Sequence, residues 1–227
     1  MGNGARVDEA GRAFAGSQRH IQTYVNERTE QLIAAVSAAL PELESASIQF
    51  VSPLERDNYA ERRDAEFLRA LGLGSLENPL TSFWPRGGPV WDALATVEFD
   101  QGQGVILLEA KSYVDELYGQ GSNAKDDALE TIRGALRSTQ SWLGADGRTD
   151  WSASRLYQYA NRLAHLYFLR EVTSTPAWLV NCYFVNDPRH ATSREDFDAQ
   201  LPSVATELGI SRPVPYTANL FLPAPGL

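Results

Sequence analysis

The chain has 227 residues, 43% hydrophobic and 22% charged, apolar enough to bury a core and too apolar to stay disordered as a whole. Twenty basic residues against 29 acidic ones leave a net charge of -9. With that balance no general electrostatic affinity for nucleic acid or anionic membrane can be assumed, so any phosphate ligand must be held locally.

The single Cys182 cannot form an internal disulfide, and the histidines at 20, 165 and 190 share no metal-ligand spacing. Neither a disulfide scaffold nor a sequence-visible zinc site is expected, and a reducing, cytoplasmic setting fits best. Residues 1–20 carry no apolar run and nowhere do 18 apolar residues follow one another, so neither secretion nor a membrane span is expected. Only Lys111 and Lys125 are lysines, the other basic residues being arginines; where lysine does occur is therefore informative.

Residues 1–17 alternate Gly, Ala and charged residues without an apolar period and read as a flexible arm; 18–227 read as a single domain. Ile21, Tyr24, Val25, Leu32, Ile33, Val36 and Leu40 recur at helical spacing up to Pro41, which predicts a helix over 20–40. A strand over 46–51 follows. Ser52-Pro53 then turns the chain into a second helix over 54–71, with Asp64 on its apolar face and Glu61 at the edge of that face. The segment 83–89, FWPRGGP, reads as a loop stiff at both ends and pliable between.

Strands are expected over 90–99 and 105–111. If Gln101 and Gly102 are the central turn residues, Asp100 opposes Gln103 and Asp92 opposes Lys111, with Leu94 opposite Glu109. That register gathers Trp91, Ala93, Ala95, Val97 and Phe99 with Ile106, Leu108 and Ala110 on one apolar face. A one-residue slip would scatter the polar groups between faces. Downstream the spacing predicts helices over 124–143 and 152–172, a buried strand over 177–185, a helix starting at Thr192 or Ser193 that Pro202 breaks, and a last strand over 218–222. Helices alternating with strands make this an α/β domain.

Asp92 near the start of one strand, with Glu109-Ala110-Lys111 at the end of its hairpin partner, supplies what metal-assisted phosphodiester hydrolysis needs. The carboxylates of Asp92 and Glu109 and the carbonyl of Ala110 are hard oxygen donors for Mg2+ or Mn2+. The ammonium of Lys111 is a compact charge able to position water or offset charge growing on phosphate. The competing reading is a surface hairpin whose Glu109 and Lys111 face water. The apolar run Val105 to Leu108 argues against it, because it marks a central strand where an unpaired charge is costly.

Pro89-Val90-Trp91-Asp92, followed seventeen residues after the aspartate by Glu109-Ala110-Lys111, resembles the signature of the PD-(D/E)XK nuclease superfamily. The resemblance spans about 54–186. The wording FWPRGGPVWDALA, LLEAKSYVDEL and LYQYANRLAHLYFLRE is similar to an uncharacterised family within it. The resemblance implies a restriction-endonuclease-like fold, a mixed central sheet flanked by helices, and a metal-dependent nuclease with DNA as the expected partner. It implies that Asp92 and Glu109 are metal ligands, that Lys111 is the catalytic lysine, and that an acid on the preceding helix, Glu61 or else Asp64, assists. Proline stands three residues before Asp92 instead of adjacent to it, a departure from the literal motif.

Gln158 and Arg162, one helical turn apart, are candidate substrate-binding residues that would orient water and phosphate, against an ordinary polar helix face. Arg86, with Trp84, would contact phosphate or stack on a base from the loop, against fold anchoring by Trp84. Glu116 reads either as a ligand of a second ion or as a solvated loop carboxylate. His165 reads as a packed or surface residue. A homodimer is left open. The second functional reading is a nuclease-like fold without catalysis, serving as a protein- or nucleic-acid-binding module.

Overall fold

A computed structural model of the chain describes residues 7–100 and 102–226. Five strands, β1 (Ser47–Ser52), β2 (Ala93–Phe99), β3 (Gly102–Lys111), β4 (Ala177–Val185) and β5 (Thr217–Pro223), form one sheet in the order β1-β2-β3-β4-β5. The first three make an antiparallel meander, while β4 lies parallel to β3 and β5 parallel to β4. Parallel neighbours need long crossovers. Helices α5 (Asp126–Leu143) and α6 (Tyr157–Tyr167) connect β3 to β4, and α7 (Arg194–Glu207) connects β4 to β5.

The sheet is covered on both faces, which is why β3 and β4 read as near-continuous apolar runs. Ala93, Ala95 and Val97 with Ile106, Leu108 and Ala110 pack under α1 (Gly16–Glu27) and α2 (Thr29–Ala39), against Ile21, Tyr24, Leu32 and Val36. Leu94, Val105 and Leu107 point the other way. They join Phe67 and Leu68 of α3 (Asp64–Ala70), Leu80 of α4 (Glu77–Phe83), Leu136 of α5 and Leu163 of α6. Each fully buried side chain of this size contributes about 1.5–3 kcal/mol. Among the described residues no helix is long and apolar enough to cross a membrane. The architecture is an α/β mixed sheet flanked by helices.

The hairpin register differs from the expected one by two residues. Phe99 pairs with Gly102, Val97 with Gly104 and Ala93 with Leu108, so Gly102 is a strand residue, while Gln101 lies outside the described residues. A shift of two preserves the faces, and the apolar face expected from Ala93 to Val97 is the one observed. Trp91 is the exception: its N–H donates to Arg62 O at 2.9 Å, the strand starts only at Ala93, and the indole joins the opposite layer.

The helix expected over 20–40 is two helices, broken at Arg28, whose φ of -133° and ψ of 33° are not helical. Beside the break, Asn26 donates to Pro53 O and accepts from the Glu55 amide, both at 2.9 Å. The helix expected over 54–71 forms only from Asp64. Asn58 and Tyr59 have left-handed φ values of 54° and 53°, and the backbone bridge from Arg62 to Trp91 holds the residues before Asp64 extended. The segment expected over 152–172 is α6 followed by a wider π-helical turn, Phe168–Val172.

α4 was not expected. Pro202 does not break α7: the carbonyl it deprives of a partner, on Asp198, lies on an exposed residue, where solvent can satisfy it. Within the segment read as an arm, Val7 bridges Ala13 and the Ala13 amide donates to Gln22 Oε1 at 2.8 Å; residues 1–6 lie outside the described residues.

Candidate functional site

Alternation along β3 sends Glu109 and Lys111 to the α6 side of the sheet, two positions apart at the strand's C-terminal end. Asp92, just ahead of β2, reaches the same place: its Oδ2 accepts the Ala110 amide at 2.7 Å. Lys111 Nζ lies 2.8 Å from Glu109 Oε1. From α6, Arg162 Nε donates to Glu109 Oε2 at 2.8 Å, while its two terminal nitrogens donate to Val90 O at 3.1 Å and Asn161 Oδ1 at 2.8 Å. Glu109, only 7% exposed, thus has a cation on each oxygen.

This arrangement drives the carboxyls apart in acidity. Burial alone would raise Glu109, but the charges and hydrogen bonds of Arg162 and Lys111 outweigh it and hold the group below the usual carboxylate range. Asp92 is pushed well up by burial and then by the negative charges of Glu109 and Glu61; Lys111 and the Ala110 amide only partly oppose this. Glu61 is raised by burial and by Glu109. Burial opposes the charge on Lys111, yet Glu109 and Asp92 overcome it and keep the ammonium above its ordinary range.

An aspartyl group raised in the folded state adds stability below the usual aspartate range. That stability declines as pH climbs and is gone above the raised value. Asp92→Asn keeps the acceptor for the Ala110 amide and removes the buried charge. It is expected to raise the melting temperature of the metal-free protein at pH 7–8 and to give no gain near pH 4, by calorimetry at both pH values. Each kcal/mol gained would appear as about 2–4 °C.

Of the two acids weighed as helpers, the structure brings Glu61 to the cluster, from the extended segment before α3 and not from a helix. Asp64 serves the loop instead, its Oδ1 accepting the Gly88 amide at 2.8 Å and the Gly87 amide at 3.2 Å. Arg162 is in the site but is buried against Glu109, away from the outward pose expected for a phosphate contact. Arg86 is exposed on its loop, with no hydrogen bond to Glu109 or Lys111. Trp84 is 3% exposed and packs 5.1 Å from the His165 ring, so it anchors the loop and offers no face to a base.

His165 is a core residue. Its Nδ1 lies 2.8 Å from Asn161 O, and burial pushes it down to about 4. Glu116 is not a solvated loop acid but a half-buried one, accepting the Ser112 amide at 2.5 Å, and burial raises it.

Glu109, Lys111, Glu116 and Gln158 open onto a cavity of about 300 Å3 whose walls include Tyr159, Asn181, Tyr183 and Asn219. Sequence reasoning singled out none of these last four. A signal existed: Asn181 interrupts the apolar run of β4, and an amide buried in a central strand needs partners. It pairs with Asn219 across β5, Nδ2 to Oδ1 at 3.0 Å.

Among the described residues no three carboxylate, imidazole or thiol groups are placed to hold a metal ion by side chains alone. The donors present fit another kind of site. Asp92 and Glu109 offer hard oxygens in a pocket where burial and neighbouring negative charge hold the Asp92 and Glu61 carboxyls above their usual range, a setting that suits a divalent ion kept largely by water and substrate oxygens. The structure joins Ala110 to this group through its amide, which meets Asp92. Comparison with protein-family models, curated proteins and solved structures finds no match to this chain.

Proposed function

We propose that this chain is a divalent-metal-dependent phosphodiesterase acting on nucleic acid, DNA foremost, built on a restriction-endonuclease-like sheet. The observation that carries the reading is the convergence of Asp92, Glu109 and Lys111 on one face at the ends of the central hairpin strands. The order of an antiparallel hairpin, helices and a further strand parallel to β3 supports the fold.

In hydrolysis a water oxygen bonds to phosphorus as the bond to the leaving ester oxygen breaks; the attacking water gives up a proton and the leaving oxygen takes one from a solvent water. Asp92 and Glu109 would hold Mg2+ or Mn2+, which when bound supplies charge neutralisation at phosphate. Lys111 donates to a phosphate oxygen and offsets the negative charge that builds there. Glu61, whose hold on a proton is strengthened by burial and by Glu109, takes the proton that the water loses. Arg162 fixes the Glu109 carboxylate from behind.

Calorimetric titration with Mg2+ and Mn2+, with cleavage of labelled single- and double-stranded DNA, tests this. Saturable binding lost in Glu109→Ala and cleavage abolished in Asp92→Ala are expected; wild-type cleavage by folded Asp92→Ala protein would reject the assignment. A second reading, a non-catalytic binding module, draws on the cation already seated on each Glu109 oxygen. It predicts that neither ion binds.

A further inference from the structure

The cavity beside Glu109 and Lys111 has a composition that hydrolysis alone does not require. Its apolar walls are Leu117 from the turn after β3, Val204 and Ala205 from α7, and Ile210 and Val214 from the segment between α7 and β5. Its polar groups are mostly uncharged: the carboxamides of Gln158, Asn181 and Asn219 and the side chains of Tyr159 and Tyr183. Tyr183 is held rigid by Phe197 and Phe221, at ring separations of 4.8 and 5.4 Å. Glu109, Lys111 and Glu116 stand at the phosphate end, and one further charged group, Arg212, lines the opposite wall beside Ile210 and Val214.

We infer that this cavity receives the base of the nucleotide whose phosphate meets Lys111. A volume near 300 Å3 is at the lower end of small-molecule pockets, which are apolar with a few placed polar groups. Carboxamides carry donor and acceptor in one plane and so match the edge of a planar heteroaromatic ring, and tyrosine rings offer faces for stacking. Enzymes that act on single nucleotides take the base into such a pocket and read its edge there. With a net charge of -9 the chain has no general electrostatic grip on a long backbone to draw on, and grip on one base would supplement local phosphate contacts. The inference rests on the phosphodiesterase reading for the phosphate end only.

Titration of the metal-free 227-residue chain with the four deoxynucleosides and their 5′-monophosphates tests it, alongside the cleavage assay. Saturable nucleoside binding is expected, weakened at least tenfold by Ala205→Trp, which fills the cavity. Asn219→Ala, on the exposed edge strand, is expected to weaken it several-fold and alter the preference among bases; circular dichroism checks both folds. The affinity added by the phosphate is expected to vanish in Lys111→Ala. No nucleoside binding, or equal binding by folded Ala205→Trp protein, overturns the base pocket even if cleavage is found. Nucleoside binding without any cleavage upholds the pocket and rejects the hydrolase. An oligonucleotide that loses affinity on removal of one base marks an extruded or terminal nucleotide as the source, whereas tighter binding of the monophosphate marks a free nucleotide.

Discussion

Lys111→Ala is expected to lower metal-dependent cleavage by about 100- to 1,000-fold, the usual loss when one donor aimed at developing charge is removed. Lys111 is one of two lysines in the chain, its ammonium is 2.8 Å from Glu109, and it lines the cavity into which substrate would enter. Its side chain is 17% exposed, so truncation leaves Glu109 still paired with Arg162 and the fold in place. Lys111→Arg separates charge from shape. It keeps a cation beside Glu109 but replaces a compact ammonium with a planar fork, so stability near wild type with activity still reduced is expected. Steady-state cleavage rates and urea melts of both variants decide the matter; full activity in folded Lys111→Ala protein would remove Lys111 from the chemistry, and full activity in Lys111→Arg would show that a cation of either shape suffices.

Arg162→Met should destabilise the protein by about 1–3 kcal/mol, because Glu109 keeps Lys111 on its other oxygen while Val90 O and Asn161 Oδ1 lose their buried donor. Arg162 is 8% and Glu109 7% exposed, and the same guanidinium satisfies Val90 O and Asn161 Oδ1. Methionine fills much of the volume and supplies none of those donors. Glu109→Gln in the same chain removes the charge that Arg162 no longer helps to offset and is expected to restore part of the loss, which a double-mutant cycle by urea unfolding measures. A single-variant loss below about 1 kcal/mol, the range of exposed pairs, would show that the pair is not desolvated.

Much of the sheet was legible because apolar periodicity is a strong signal when both faces are covered. The 177–185 strand and the Gly144 stop after α5, with its φ of 64°, follow from the residues alone. The carboxylate–lysine cluster was legible for the same reason: alternation puts residues 109 and 111 on one side whatever the register. What was not legible is tertiary. Nothing local in 54–63 signals that Arg62 bridges Trp91, which denies that stretch a helix and delivers Glu61 to the site. The salt link from Arg162 to Glu109 spans 53 positions and the Asn181–Asn219 pair 38. Neither distance leaves a trace in a window of a few residues.

The cavity takes Gln158 and Tyr159 from α6, Asn181 and Tyr183 from β4 and most of its apolar wall from α7, the loop after it and β5, whereas Asp92, Glu109 and Lys111 sit on the hairpin or just ahead of it and Glu61 lies earlier still. The two halves of the site are therefore encoded in separate stretches of chain, and ribosomal synthesis completes the charged half first. Exchange of the stretch after residue 186 between variants would redirect ligand choice while leaving the charged half untouched, a modular route by which selection can retune one property without disturbing the other.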